Sequence, residues 1–554
     1  MEIYYTNDMK KKAINHWILI IILSFAIAIL NIIRVIMGAF QTPNGQVYLA
    51  IGHFYMDYLE YTQQIAQGIF GHTLVQNQFT TNDPTQTLIG WGQYLLIGYI
   101  ARLFHASQFL AYWVAIFVLS VCVLLIIFLL IRKILHDQPF FYQLIAFLFS
   151  IFAVPFVTVI RNQQGVTLTP IDFFYAPISL FHRIGGVPHH ITTTLFVCVG
   201  ILLTASIIKH GIEMNWRWFY SKICILIVLC VVLLTFAPLQ VFILLSAIGV
   251  VTLGYALWFW HKRKKSAHSI PFLLFIFLLS ITIVPAAIII KYMHGSQELF
   301  LRAIAWETAQ LYHPTPIQLM ETIGPILLLV PFGIRTYFKS ITPLKLLLLT
   351  FVIFSYIYFS TNFAYYFGTF NQRFLTPVSY VFFGITAVLG LQTITRRIPF
   401  RKILSAGIST LYLLYFITIT LIILRSFGGS DVLGYMPKDF FTGIRVLNNQ
   451  NDTKAVLTSP YNILGLLVPN VIDRNVYLGR IIFTPDYEIK QQTSYQFYAG
   501  SMNASDSYQL LKENNIGYIL VSSQEPFPKE NMMKYPFISE LYQNSFLTIL
   551  QFQE

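Results

Sequence analysis

Apolar runs of membrane-spanning length recur along most of this chain, separated by short polar segments that are either basic or nearly free of lysine and arginine. Stretches such as Trp17 to Ala39, Phe109 to Ile131 and Ile403 to Leu424 are each long enough for a helix to cross a hydrocarbon core of roughly 30 Å. Isolated buried helices of a soluble protein seldom run that long. Read in order, the pattern predicts crossings near 17–39, 109–131, 142–160, 191–208, 221–237, 240–260, 270–290, 322–338, 344–359, 376–394 and 403–424. The first follows Lys10, Lys11 and Lys12, exceeds the apolar length of a signal peptide and carries no small-residue cleavage signature, so it is expected to be a retained helix.

Positive charge orients the crossings, because loops rich in lysine and arginine stay on the cytoplasmic side. Six basic clusters lie at 10–12, 132–133, 209–222, 261–265, 335–345 and 396–402. The segments between them, 40–108, 161–190, 291–320 and 361–375, are expected to face outward. The inner set holds 19 lysines and arginines against 6 in the outer set, which supports that assignment. Eleven crossings put the N-terminus inside and the C-terminus outside. Leu88 to Phe104 is apolar enough to cross, yet a crossing there would reverse the charge pattern. Its Trp91, Tyr94 and Tyr99 suit a helix lying at headgroup level.

From residue 426 the pattern changes. This quarter of the chain carries 12 of the 23 carboxylates, with 9 basic residues. Short β-type runs at 455–458, 475–478, 517–521 and 546–550, with helical patterns at 486–498 and 508–513, predict a small α/β module. The expected organisation is therefore a transmembrane domain over 1–425 and a soluble extracytoplasmic α/β domain over 426–554, in a multi-pass protein of the plasma membrane.

Composition agrees: 56% of the 554 residues are hydrophobic and 11% charged, a combination no ordinary soluble domain of this length shows. The formal charge of +13 sits in clusters between apolar runs, which argues against nucleic acid as a partner. Cys122, Cys198, Cys224 and Cys230 all fall inside apolar runs and offer neither a disulfide framework nor a CxxC metal site.

Chemistry-bearing residues in the outer segments are few. Asp57 and Glu60, in His53-Phe-Tyr-Met-Asp57-Tyr-Leu-Glu60-Tyr, stand at i and i+3 of a helix expected to lie on the membrane, hence on one face. They are either its solvated polar face or a general base and candidate metal-ligand pair. The second outer segment holds Asp172 and Phe181-His182-Arg183-Ile-Gly-Gly-Val-Pro-His189-His190. Adjacent histidines are poorly spaced for zinc; with Arg183 at a helix start they suit an anionic phosphate, or cap the helix at the interface. Arg373, the lone cation of the fourth outer segment, is either a phosphate clamp or a headgroup anchor. Arg34, and Arg302 with Glu307, permit the same two readings.

The early Asp57 in a long first outer segment, the stretch from Asp57 through Tyr58 and Tyr61 to Gly71-His72, the Gly186-Val-Pro-His189-His190 run and the tail motifs Val456-Leu-Thr-Ser-Pro460, Val476-Tyr-Leu-Gly479 and Thr484-Pro-Asp-Tyr487 together resemble the GT-C superfamily of bacterial membrane glycosyltransferases that use polyprenyl-phosphate-linked sugars. The family's Asp-x-Asp or Asp-Glu pattern is replaced here by Asp-x-x-Glu. The resemblance implies inverting transfer of a hexosyl or pentosyl group from such a donor to a cell-surface glycan or lipid-linked acceptor. Asp57 would be the general base, with Glu60, Asp172, Arg183, His189, His190 and Arg373 binding substrate, and a divalent metal ion as a possible cofactor. The competing readings are a transporter or flippase of lipid-linked or anionic substrates and a non-catalytic envelope assembly protein. Few ionisable residues at mid-membrane depth disfavour the first, and a dispensable Asp57 would mark the second.

Overall fold

A computed structural model of the chain describes residues 2–553 apart from 84, 163–164, 172–179, 262–268, 296, 397, 427–433 and 462. The chain forms two compact units. One comprises residues 1–32, 116–293 and 304–427; the other comprises 33–115, 294–303 and 428–554.

The first unit is helical. Among the described residues of the whole chain, eight helices are long and apolar enough to cross a membrane: 14–40, 108–134, 188–212, 216–234, 238–261, 270–293, 378–395 and 401–422. Two further apolar helices, Phe140–Phe152 and Pro343–Phe359, are shorter. Outward-facing side chains such as Ile22, Val228, Leu257 and Ile288 are large, apolar and exposed, as a lipid-facing surface requires. Local signals set the ends. Pro188 opens its helix at a position where its missing N–H costs nothing, and the Thr342 hydroxyl caps Pro343–Phe359 by accepting from the Lys345 N–H. Arg132 and Lys133 lie in the last turn of theirs, where the helix dipole favours cations.

Val378–Thr395 is buried on nearly every side. Its glycines explain the depth: a side chain at Gly390 would collide with the Leu329 carbonyl, one at Gly384 with Ser150 and the Ala146 carbonyl, and one at Gly333 opposite with the Thr386 carbonyl. Small residues let helix backbones approach closely where lipid supplies no hydrophobic drive.

Two expected helices differ. The one at 322–338 is broken: Pro316–Ile323 ends at Gly324, whose φ is +88°, a short 3₁₀ turn covers Pro325–Leu328, and a new helix runs Val330–Phe338. Glycine in the left-handed region followed by proline stops an α-helix on both sides. The one expected over 142–160 ends at Phe152. Pro155 then ends helical continuity, and the β-branched Val157-Thr-Val-Ile run pairs antiparallel with Gly165–Pro170.

The second unit joins the first outer segment to the tail. Gln46–Tyr48 pairs antiparallel with Tyr435–Pro437. The helices Tyr55–Phe70 and Gly92–Leu103 cross so closely that a side chain at Gly68 would strike the Leu95 carbonyl and one at Gly98 the Ile65 carbonyl. Ile463–Val471 lies on the former, where the Asn470 side-chain amide donates to the Leu59 carbonyl at 2.9 Å. The tail sheet runs Ala455–Leu457 parallel to Ile516–Ser522. Leu547–Phe552 follows, antiparallel to that strand, and Ile538–Gln543 forms the far edge. Ile516–Ser522 is buried throughout, as befits a strand covered on both faces. Tyr487–Tyr498 and Ala504–Glu513 pack against the sheet through Phe497, Tyr498, Leu510 and Leu511. The expected strands at 455–458, 517–521 and 546–550 and both helices form; at 475–478 only a single bridge, Val476 to Val456, is made.

Candidate active site

Helix Tyr55–Phe70 begins one residue after Phe54 and ends at Gly71 in the left-handed conformation, φ +100°, which only glycine adopts at no steric cost. Asp57 lies in its first turn, where the helix dipole favours a carboxylate. The helix is not the surface element that its pattern predicts: Tyr58, Leu59, Glu60 and every residue from Thr62 to Gly68 are buried. The tail and Gly92–Leu103 supply the cover that periodicity alone assigns to lipid and water.

Asp57 and Glu60 share one face, and that face meets Arg480. The guanidinium donates to Asp57 Oδ1 at 2.5 Å and its other terminal nitrogen, Nη1, pairs with Glu60 Oε2. The arginine side chain is 11% exposed and Glu60 4%, while Asp57 keeps 32%. The site therefore presents Asp57 to solvent or substrate and hides its two partners. Burial lowers the Arg480 pKa, and the charge and hydrogen bond of Asp57 act against that; arginine starts so far above neutrality that it stays charged. Glu60 Oε1 accepts from Gln64 at 3.0 Å, and Tyr61 stacks on Tyr94 with ring centroids 4.7 Å apart.

The segment that carries Arg480 is held rigidly. A Cβ at Gly479 would lie 2.7 Å from Phe79 Cβ, so only glycine lets the tail pass there. The N–H groups of Phe483 and Thr484 both donate to the Arg480 carbonyl, closing a tight turn, and Thr484 Oγ1 donates to the Phe79 carbonyl at 2.9 Å. The guanidinium sits 4.9 Å from the Phe483 ring centroid, and Phe483 in turn meets Trp91 edge-on. Arg302 Nε donates to the Ile482 carbonyl at 3.2 Å.

Further titratable groups of this unit have shifted pKa values. His72 and Asp473 pair at 2.7 Å, and Gln78 donates to the same aspartate at 2.6 Å. The hydrogen bond to Asp473 raises the His72 pKa against the opposing effect of burial. Burial pushes Asp473 upward, but His72 and Gln78 outweigh it and hold the carboxyl below its ordinary range. Lys490 donates to Thr80 Oγ1 at 2.7 Å; burial brings its pKa down to about 8. His53, at 2.8 Å from the Tyr112 hydroxyl, is brought down to about 4 by burial.

Arg183, His189, His190 and Arg373 belong to the first unit. Arg183 donates to His190 Nδ1 at 2.8 Å, and the rings of His189 and His190 meet at a centroid distance of 4.1 Å. Arg373 is not a solitary cation: it pairs with Glu307, which also accepts from Thr369. Asp172 lies outside the described residues.

The arrangement does not fit a resident divalent ion held by Asp57 and Glu60. Both carboxylates are already engaged by one guanidinium, and among the described residues no three His, Cys, Asp or Glu side chains gather closely enough to hold a metal. A hard divalent cation completes its oxygen shell with water, and here the guanidinium already fills the place from which one would meet both carboxylates.

Arg480 went unseen in the sequence although the motifs on either side of it stood out. Its signal was present: it is the only lysine or arginine between Arg474 and Lys490, set between Gly479 and an apolar Ile-Ile-Phe run.

No protein-family model matches the chain, and no curated protein does. Among solved structures it is similar to the oligosaccharyltransferase of Archaeoglobus fulgidus. In complex with Zn and sulfate, that protein gives a TM-score of 0.51 at 15% identity over 91% of this chain and 68% of the other. As AglB with an inhibitory peptide and a dolichol-phosphate, it gives 0.50 at 13% identity over 92% and 70%. ArnT of Cupriavidus metallidurans, bound to undecaprenyl phosphate, gives 0.49 at 9% identity over 96% and 97%. The fold is therefore that of the Archaeoglobus fulgidus oligosaccharyltransferase structures, a helical polytopic body with a small C-terminal sheet region.

Proposed function

We propose that this chain is a membrane glycosyltransferase that moves a sugar from a polyprenyl-phosphate donor to a hydroxyl of a cell-surface glycan or lipid-linked acceptor. The observation that carries the reading is Asp57: a carboxylate on a rigid, buried helix, partly open on one side and charge-balanced on the other by Arg480. A carboxylate so placed suits a general base. Proteins of this fold include one solved with a dolichol-phosphate, which supports a lipid-phosphate donor here.

In the proposed reaction the acceptor oxygen attacks the anomeric carbon while its proton passes to Asp57. The bond from that carbon to the phosphate oxygen breaks, and polyprenyl phosphate leaves carrying the electron pair. One displacement inverts the anomeric configuration. Charge develops on the departing phosphate, so preorganised cations lower the barrier.

Strand pairing and charge support an extracytoplasmic position for the site. Gln46–Tyr48 and Tyr435–Pro437 share backbone hydrogen bonds, and strands cannot pair across a bilayer. The first outer segment and the tail thus lie on one side. The inner bias of lysine and arginine supports the extracytoplasmic side for both, with the N-terminus in the cytoplasm.

The test is transfer of labelled sugar from a polyprenyl-phosphate donor by the purified chain, alongside mass analysis of surface glycans in cells that carry the wild type or Asp57→Asn. Loss of a glycan component with the variant is expected. Unchanged glycans, with the variant inserted and folded, would overturn the proposal.

A further inference from the structure

We propose that Arg480 is the built-in cation of the Asp57–Glu60 pair, standing where a divalent metal ion would otherwise bridge two carboxylates, so that this site works without metal. The claim about activity rests on the transferase reading above; the claim about the cation does not.

Three features support it. The two terminal nitrogens of Arg480 are divided between the carboxylates, one to Asp57 and one to Glu60, which is a bridging role and differs from the fork that arginine commonly makes to a single carboxylate. The guanidinium is not free to leave. Gly479 is pinned beneath Phe79, the Arg480 carbonyl is capped by two N–H groups, and the Phe483 ring backs the charge. Finally, Glu60 is almost fully buried, and a buried carboxylate needs a permanent partner because desolvating an unpaired charge costs several kcal/mol. An exchangeable ion would leave Glu60 unpaired whenever it dissociated; a tethered guanidinium never does.

Arg480 is accordingly a positioning residue. It fixes the Asp57 side chain against the helix and sets the net charge of the triad at −1 when both carboxylates are ionised.

The experiment uses the full chain in detergent or nanodiscs and Mn²⁺ as the probe, read by the loss of its free electron-paramagnetic signal. Wild type is expected to bind no Mn²⁺ that Glu60→Gln removes. Arg480→Gln, with folding checked by its melting temperature, is expected to gain about one Mn²⁺ per chain, and Arg480→Gln with Glu60→Gln to lose it again. Wild-type binding of Mn²⁺ that Glu60→Gln abolishes would overturn the proposal, and that arm stands even if Arg480→Gln does not fold. A folded Arg480→Gln that takes up no Mn²⁺ would overturn it too.

In the transfer assay, wild type is expected to be indifferent to EDTA. Arg480→Gln is expected to lose on the order of 100-fold in rate and to recover in part with Mn²⁺, while Arg480→Lys retains more. Transfer that EDTA abolishes and Mg²⁺ restores would end the proposal and leave the transferase reading intact. No transfer, together with refusal of Mn²⁺ by wild type, would end the transferase reading and support the cation assignment.

Discussion

Arg480 reaches Asp57 across 423 positions of sequence and meets it at 2.5 Å, with Glu60 on the same guanidinium. One ion triad thereby ties the first outer segment to the tail, and the candidate general base exists as a placed group only when both have folded.

Replacing Asp57 by Asn keeps the shape of the side chain and removes its capacity to take a proton. We expect transfer to fall by about 10²–10⁴-fold, the usual contribution of a positioned acid or base, with little change in melting temperature because Glu60 still pairs Arg480. A rate assay with labelled donor checks it, and wild-type turnover would exclude Asp57 from catalysis.

Removing one member of the buried pair should cost more than removing both. Arg480→Met leaves Glu60 charged and unpaired, at about 3–5 kcal/mol, whereas Arg480→Met combined with Glu60→Leu trades the pair for apolar packing and should recover much of that. Denaturation of the two variants and of Glu60→Leu alone completes a double-mutant cycle. Additive losses would show that the pair does not couple.

Gly98→Ala is expected to destabilise the second unit by about 1–3 kcal/mol, because its methyl would meet the Ile65 carbonyl on the facing helix. The same substitution at Gly249, which has open space around it, is the control and should be neutral or slightly stabilising. Equal melting temperatures for the two variants would contradict the close crossing.

The His72–Asp473 pair gives a pH signature. His72 is raised above its ordinary 6.5, so its stabilisation is complete below 6.5 and is lost as pH rises through the folded value. Asp473 is held below its ordinary 3.8, so its contribution is complete above 3.8 and is lost as pH falls through the folded value. The pair therefore contributes most between about 4 and 6.5. Melting temperature should decline above that window in wild type, and the decline should be shallower in His72→Gln. Parallel curves would show that the pair is not linked to stability.

Much of the architecture could be read directly from the chain. Apolar length sets the spanning helices, since backbone groups in lipid must be satisfied within a helix, and the long runs at 109–131, 191–208 and 240–260 recur as helices 108–134, 188–212 and 238–261 with ends moved by a few residues. Period-two and period-3.6 patterns likewise gave the tail strands and helices, and i, i+3 spacing put Asp57 and Glu60 on one face.

Local pattern could not decide partners. The helix at 55–70 has a polar face that reads as solvated, and only the packing of Gly68 on Gly98 and of Asn470 on Leu59 turns it inward. Arg480 becomes a site residue, and Arg373 a partner of Glu307, through contacts between segments far apart in sequence. Hydrophobic length and periodicity are properties of neighbouring residues, so the sequence determines them alone; the pairing of charges depends on which surfaces meet, and that is settled only when the chain folds.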